Sequence, residues 1–349
     1  MSHKCTLFGF DFIRGCAAVW IAFYHYTNIF GDIAYLGKWG GVLVEIFFIL
    51  SGFLFYHAYF ERINSDSYPL SCFIADRFWR LMPLMMVANA IAVLIYYLCL
   101  INSGLPFNHG RPGFTLSGMI VGCLGVPVWS PLFEDNPMFA NSPQWYVIVL
   151  LFNYLILYGI VYYFRNLRLQ LCCFAFMIFV GLVLMVNDFG GIHIAFFERG
   201  FARGYIGCSL GCLLCIAYKR GIIKEIFLFL FPFSLLTVLC IYLLGERVIG
   251  DLNLFVLFVV GPTLFAFVLL NQGLCKIFFE NFVFRFLGRI SYSVYLWNIP
   301  VIIFFIFKPI SHTGEAKGVV LFSVVLFVIS SLSYLYLEKK IIPFLKRKF

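Results

Sequence analysis

Apolar runs of about the length of a membrane helix follow one another along the chain, divided by short polar connections. They fall at residues 10 to 30, 41 to 60, 81 to 101, 143 to 164, 170 to 187, 203 to 218, 225 to 244, 252 to 270, 289 to 308 and 318 to 337. The runs are continuously apolar. A membrane barrel would instead alternate in polarity over short segments, so helices are the remaining way to satisfy the backbone in lipid. The pattern predicts an all-α integral membrane protein with about ten transmembrane helices in a single bundle. The longest connection, 102 to 142, carries an apolar patch from Met119 to Leu132 that reads as a re-entrant or interfacial piece, or as an eleventh span. No fixed-period repeat or shift in composition divides the chain, so residues 1 to 349 read as one membrane domain without a soluble appendage.

Composition agrees: 63% of the 349 residues are hydrophobic and 12% charged, where a soluble domain has about half and a quarter. Of the 25 lysines and arginines, eighteen fall at the termini and at every second connection, leaving seven for the alternate ones. By the positive-inside rule both termini are cytoplasmic. The net charge of +9 sits at helix ends rather than in a basic tract, which argues against nucleic acid. The first run lacks a small-residue cleavage site and contains Arg14, so it reads as a retained span. Almost all of the 12 cysteines lie in apolar runs or at cytoplasmic ends, and structural disulfides are not expected. Cys208, Cys212 and Cys215 share a helix face but have no fourth ligand nearby, so they read as packing and no metal site is expected.

Some polar residues do not fit a purely structural role. Arg14 and His25 lie eleven residues apart in the first run, on one helix face and about 16 Å apart along the axis. Ionisable groups in membrane helices face the bundle interior or a watery cavity, which marks the pair as a candidate site. Glu45 lies at a similar depth on the second run, as a carboxylate to orient His25 or as a hydrogen-bonding group within the bundle. Arg77 and Arg80, just ahead of the third run, suit phosphate groups, lipid headgroups or topology. Trp145 opens the fourth run, and Ser291, Tyr292, Tyr295 and Asn298 form a polar stripe in the ninth that can join helices or bind a ligand.

In this order, Arg14-x10-His25, the Glu45 to Phe53 run, Arg77-x2-Arg80-x2-Pro83, Trp145, the Leu287 to Pro300 segment and Tyr336-Leu337-Glu338 resemble membrane-bound acyltransferase family 3, which acylates sugars of surface polysaccharides and related hydroxyl compounds. The resemblance implies that acyl-CoA is the donor, that His25 is the essential histidine with Arg14 as its functional partner, and that Arg77 and Arg80 belong to the donor side. Three positions depart from the family pattern. Glu45 stands where Asp is common, Leu150 where a glutamate is frequent, and Asn298 where a histidine often precedes proline. Asn298 takes no proton at neutral pH.

The expected reaction is O-acyl transfer, with acetyl-CoA as co-substrate and no permanently bound cofactor. His25 serves as general base or transient acyl carrier, and Arg14 or Tyr292 as candidate oxyanion stabiliser. Trp145, Ser291, Tyr292, Tyr295 and Asn298 are candidate acceptor or site-lining residues. The expected acceptor is a cell-surface polysaccharide or its lipid-linked precursor at a bacterial inner membrane, with membrane lipids as neighbours. A small-molecule acceptor is the enzymatic alternative. A proton-coupled transporter using Arg14, His25 and Glu45 as a relay is the alternative of another class.

Overall fold

A computed structural model describes residues 7–31, 37–103, 123–124, 141–186, 199–244, 252–306 and 315–348. The described residues are helical with short turns and contain no strand. In chain order the helices are α1 (Phe10–Phe30), α2 (Val44–Asn64), α3 (Leu70–Ser103), α4 (Gln144–Tyr163), α5 (Leu167–Val186), α6 (Arg199–Lys219), α7 (Ile223–Leu244), α8 (Leu252–Leu270), α9 (Gln272–Phe279) and α10 (Phe282–Ile306). The last, α11, begins as Glu315–Leu332 and runs through a π-helical stretch, Ser333–Ile341, into Ile342–Lys348. Among the described residues, 8 helical stretches are long and apolar enough to cross a membrane. Two further helices, α1 with 21 residues and α7 with 22, have the length of a span. The protein is a multi-pass, all-α membrane bundle. Apart from residues 123 and 124, the Met119 to Leu132 patch lies outside the described residues.

The third span departs most from the expected boundaries. Its helix begins at Leu70, so Arg77 and Arg80 are part of α3 rather than of a connection before it. Phe73 explains the extension: it is fully buried against Phe55, Tyr59, Tyr154 and Tyr158, which holds the first turns of α3 on α2 and α4. Pro83 is accommodated inside the helix.

In lipid there is little hydrophobic drive between helices, and close backbone approach is what packs them. Two crossings show this. A methyl group on Gly52 would collide with the Cys208 carbonyl, and one on Gly211 with the Ile49 carbonyl, so α2 and α6 touch backbone to backbone. At the second crossing, Gly15 of α1 meets Leu287 and Gly288 of α10, while Gly288 meets Asp11. Arg14 of α1 and Ser291 of α10, close to that crossing in sequence, line one cavity. Away from the core, α5, α7 and α11 expose Phe176, Phe179, Phe229, Leu235 and Val324, an apolar exterior suited to lipid.

Pro300 lies inside α10 and cannot donate to the Leu296 carbonyl four residues back. Asn141, just before α4, donates to that carbonyl at 3.0 Å. Tyr295 donates to the Pro143 carbonyl at 3.1 Å, and Asn89 of α3 to Gln144 Oε1 at 2.6 Å. These bonds fix the start of α4 against α10 and α3, at the depth of the candidate site.

Candidate functional site

The first arginine of the sequence pattern and the pair on α3 converge. Arg14, Arg77 and Arg80 all line a cavity of ≈ 390 Å³ bordered by α1, α2, α3, α4 and α10. The volume is in the range of small-molecule sites. Its walls are apolar where Leu54, Phe55, Leu81 and Leu150 face it, and hydroxyl-bearing where Ser51, Tyr146, Ser291, Tyr292 and Tyr295 do. Leu150 thus brings no carboxylate to a hollow that holds three guanidinium groups.

Each arginine is held differently. Arg14 pairs with Asp11 at 2.9 Å, one turn away on α1. Arg80 reaches Glu338 at 3.4 Å, and Glu338 also accepts from Ser293 at 2.7 Å. Arg77 donates to the Tyr59 hydroxyl and lies over the rings of Tyr59 and Tyr154, at 4.9 and 5.4 Å from their centroids. The Nε groups of Arg14 and Arg77 are buried and have no hydrogen-bond partner among the described residues. A buried guanidinium N–H without an acceptor is costly, and an anionic ligand would satisfy it.

Along α2 the cavity wall runs from Tyr59 to Phe47, twelve residues or about 18 Å of helix. At the Phe47 end three rings meet: Phe47 lies 5.9 Å from both Tyr146 and Tyr295, which are 5.5 Å from each other. The hydroxyls there are not equivalent. Tyr292 donates to the Leu81 carbonyl at 2.6 Å, Tyr295 to Pro143 and Ser291 to the Gly288 carbonyl, so their protons are committed. Ser51 and Tyr146 bond to each other at 3.1 Å. Ser51 also bonds the Tyr154 hydroxyl, and two bonds among three hydroxyls use two protons and leave the third available.

Glu45, Trp145, His25 and Asn298 do not line this cavity. Glu45 is fully buried and pairs with Arg203 of α6, whose Nη2 also donates to the Gly41 carbonyl at 3.1 Å. Trp145 stacks beneath the same guanidinium at 5.0 Å. Glu45 is therefore engaged by Arg203 rather than by His25. Arg203 stands out in the sequence only as a cation at the head of an apolar run. His25 is partly buried, in edge contact with Tyr24 at 5.4 Å, and has no hydrogen-bond partner among the described residues. Asn298 is buried and donates to the Tyr295 carbonyl of its own helix at 2.6 Å. Two further hollows flank the site. One of ≈ 600 Å³ lies toward the other end of α1, between Tyr24, Asn28, Lys38, Trp39 and Arg203. The other, of ≈ 440 Å³, shares Arg77 and Arg80 with the main cavity.

Comparison with known proteins identifies a family for the chain. The sequence model of a family described as an acyltransferase domain matches residues 7–344, nearly the whole chain. "Protein 2 in picA locus" of Rhizobium radiobacter is 33% identical over 144 residues, covering 39% of this chain and 72% of that protein. No solved structure matches the chain.

Proposed function

The chain belongs to acyltransferase family 3, and from that premise we propose that it takes an acyl group, with acetyl as the expected one, from acyl-CoA and passes it to a hydroxyl of a cell-surface polysaccharide or its lipid-linked precursor at a bacterial inner membrane. The observation that carries the donor assignment is the convergence of Arg14, Arg77 and Arg80 on one cavity, with two buried Nε groups lacking acceptors among the described residues. Phosphates suit those groups. The wall of about 18 Å suits an extended pantetheine arm, whose length is on the order of 15 to 20 Å. The thioester then rests near Ser51 and Tyr146, and the spare proton of the Ser51, Tyr146 and Tyr154 hydroxyls stabilises the oxyanion. Tyr292 is less suited, because its proton is committed to Leu81.

His25 lies about 16 Å above Arg14 on α1, a rise similar to the depth of the cavity. Its ring nitrogens, unengaged among the described residues, are free to exchange a proton. In direct transfer the acceptor O–H gives its proton to His25 while the oxygen attacks the thioester carbonyl. The C–S bond breaks, and the CoA thiolate takes the proton back from the imidazolium. In the two-step route His25 itself attacks, releases CoA and hands the acyl group to the acceptor. The hollow between Tyr24, Trp39 and Lys38 gives the acceptor a place to approach. Glu45, through Arg203 and the Gly41 carbonyl, positions the wall of that hollow.

The test uses the full chain in vesicles with radiolabelled acetyl-CoA and envelope glycan. Acyl transfer with release of free CoA, abolished in a folded His25→Ala variant, is expected. Near wild-type transfer by that variant, or solute transport without CoA release, overturns the assignment. Label trapped on the protein without acceptor selects the two-step route.

A further inference from the structure

The hollow of ≈ 600 Å³ toward the other end of α1 is lined differently from the main cavity. Its wall includes Tyr24, Asn28, Lys38, Trp39, Arg203 and Asn253, two aromatic rings among cations and amides. The size is that of a small-ligand site.

Trp39 is the unusual member. Its backbone is left-handed, with φ of 58°, a conformation that costs a bulky residue and that glycine adopts freely. Glycines stand close on both sides, at Gly37, Gly40 and Gly41. The left-handed position nevertheless carries an indole. Such strain persists only where the surroundings fix it, and it concentrates at ligand-binding positions. Here α1 does the fixing. A methyl group on Gly37 would collide with the backbone of Phe23 and Tyr24, and one on Gly40 with Tyr24 Cβ and the Trp20 carbonyl. Trp20 also donates from Nε1 to the Lys38 carbonyl at 3.0 Å. The turn that carries Trp39 is thus seated directly on α1.

Tyr24 and Asn28, four residues apart, share a face of α1 and line the same hollow. Neither the Tyr24 hydroxyl nor the Asn28 amide has a hydrogen-bond partner among the described residues. Tyr24 is also the residue in edge contact with His25, at 5.4 Å. An indole beside unspent hydroxyl and amide groups matches the two-sided chemistry of a sugar. The face of a pyranose carries C–H bonds of slight positive charge, which stack on the negative face of an aromatic ring. Its rim carries hydroxyls that need both donors and acceptors, which Tyr24 and Asn28 supply.

Resting on the acyl-transfer reading above, we propose that this hollow is the acceptor subsite for a pyranose ring, which stacks on Trp39 and shares hydrogen bonds with Tyr24 and Asn28. A ring seated there lies next to His25. Trp39 then selects a sugar over an open-chain alcohol, which has no flat C–H face to offer.

The test uses the purified full chain in lipid nanodiscs, with end-labelled oligosaccharides released from the envelope glycan as the probe. Trp39→Gly should bind them about tenfold more weakly, the scale of one aromatic stacking contact, and Trp39→Tyr should recover most of the loss. Acetyl-CoA affinity should stay within about twofold in both variants. Thermal stability of Trp39→Gly should equal or exceed that of the wild type, because glycine relieves the left-handed backbone. Asn28 is exposed, so Asn28→Ala leaves the fold intact and should weaken oligosaccharide binding about fivefold, the value of one hydrogen bond. Wild-type affinity in either Trp39→Gly or Asn28→Ala overturns the proposal, as does a wild-type protein that binds no oligosaccharide. If Trp39→Gly fails to fold, the Asn28→Ala arm decides alone. Acetyl transfer followed in parallel separates the subsite from the reading it rests on. Transfer to the glycan with binding untouched by these substitutions sinks only the subsite, and Trp39-dependent binding without transfer sinks only the enzymatic reading.

Discussion

At the scale of single residues, the site is a set of groups whose hydrogen-bond capacity is only partly used. Tyr146→Phe removes one hydroxyl from the group of three that has a proton to spare. Its kcat should fall by about 10²-fold, the usual loss for one oxyanion donor, while the acyl-CoA KM stays within about twofold. An unchanged kcat would show that the oxyanion is held elsewhere. Arg77→Ala should act in the opposite sense, raising the acyl-CoA KM about tenfold through the loss of a charge-assisted contact. Arg14 was legible in the sequence because a charge in a greasy segment needs a reason, and Arg77 and Arg80, just ahead of the third run, through the family resemblance of their spacing. Ser51 and Tyr146 were not, since hydroxyl side chains are common here, with 20 tyrosines in the chain, and which of them keeps a free proton depends on partners from other helices. The partner of Glu45 was hidden for the same reason: Arg203 is 158 residues away.

At the scale of helices, most spans could be read directly, because apolar length alone sets them. The start of α3 could not, since Phe73 decides it by packing against α2 and α4. Nor was the depth of the α2 and α6 contact visible without knowing which glycines face each other. Gly211→Val should separate those helices and sharply reduce the monodisperse protein recovered in detergent, whereas Gly159→Ala, with open space around its Cα, should be neutral. Equal recovery of both would refute the close crossing. The buried Glu45 and Arg203 pair joins the same two helices. Arg203→Met alone leaves a buried carboxylate and should lower thermal stability by the equivalent of about 3–5 kcal/mol, and adding Glu45→Gln should recover part of it. A double variant no better than the single one would mean the pair is not coupled.

For the molecule as a whole, the positive-inside reading puts both termini in the cytoplasm, and with them the arginine cavity, on the side from which the proposed acyl-CoA donor would enter. A membrane-impermeant maleimide should label Lys38→Cys in intact cells and Lys224→Cys only after permeabilisation, each read against the parent protein; the reverse pattern would invert the bundle. The three rings at the head of the cavity then take on a further meaning. A membrane that stores energy as an ion gradient tolerates a hollow protein only while the bore stays shut, and Phe47, Tyr146 and Tyr295 close on one another where the hollow ends. An acyl group can be handed across such a stopper by bond exchange, but a hydrated ion has no equivalent route. On the proposed function, the same three side chains that frame the chemistry would also narrow the bore against ions.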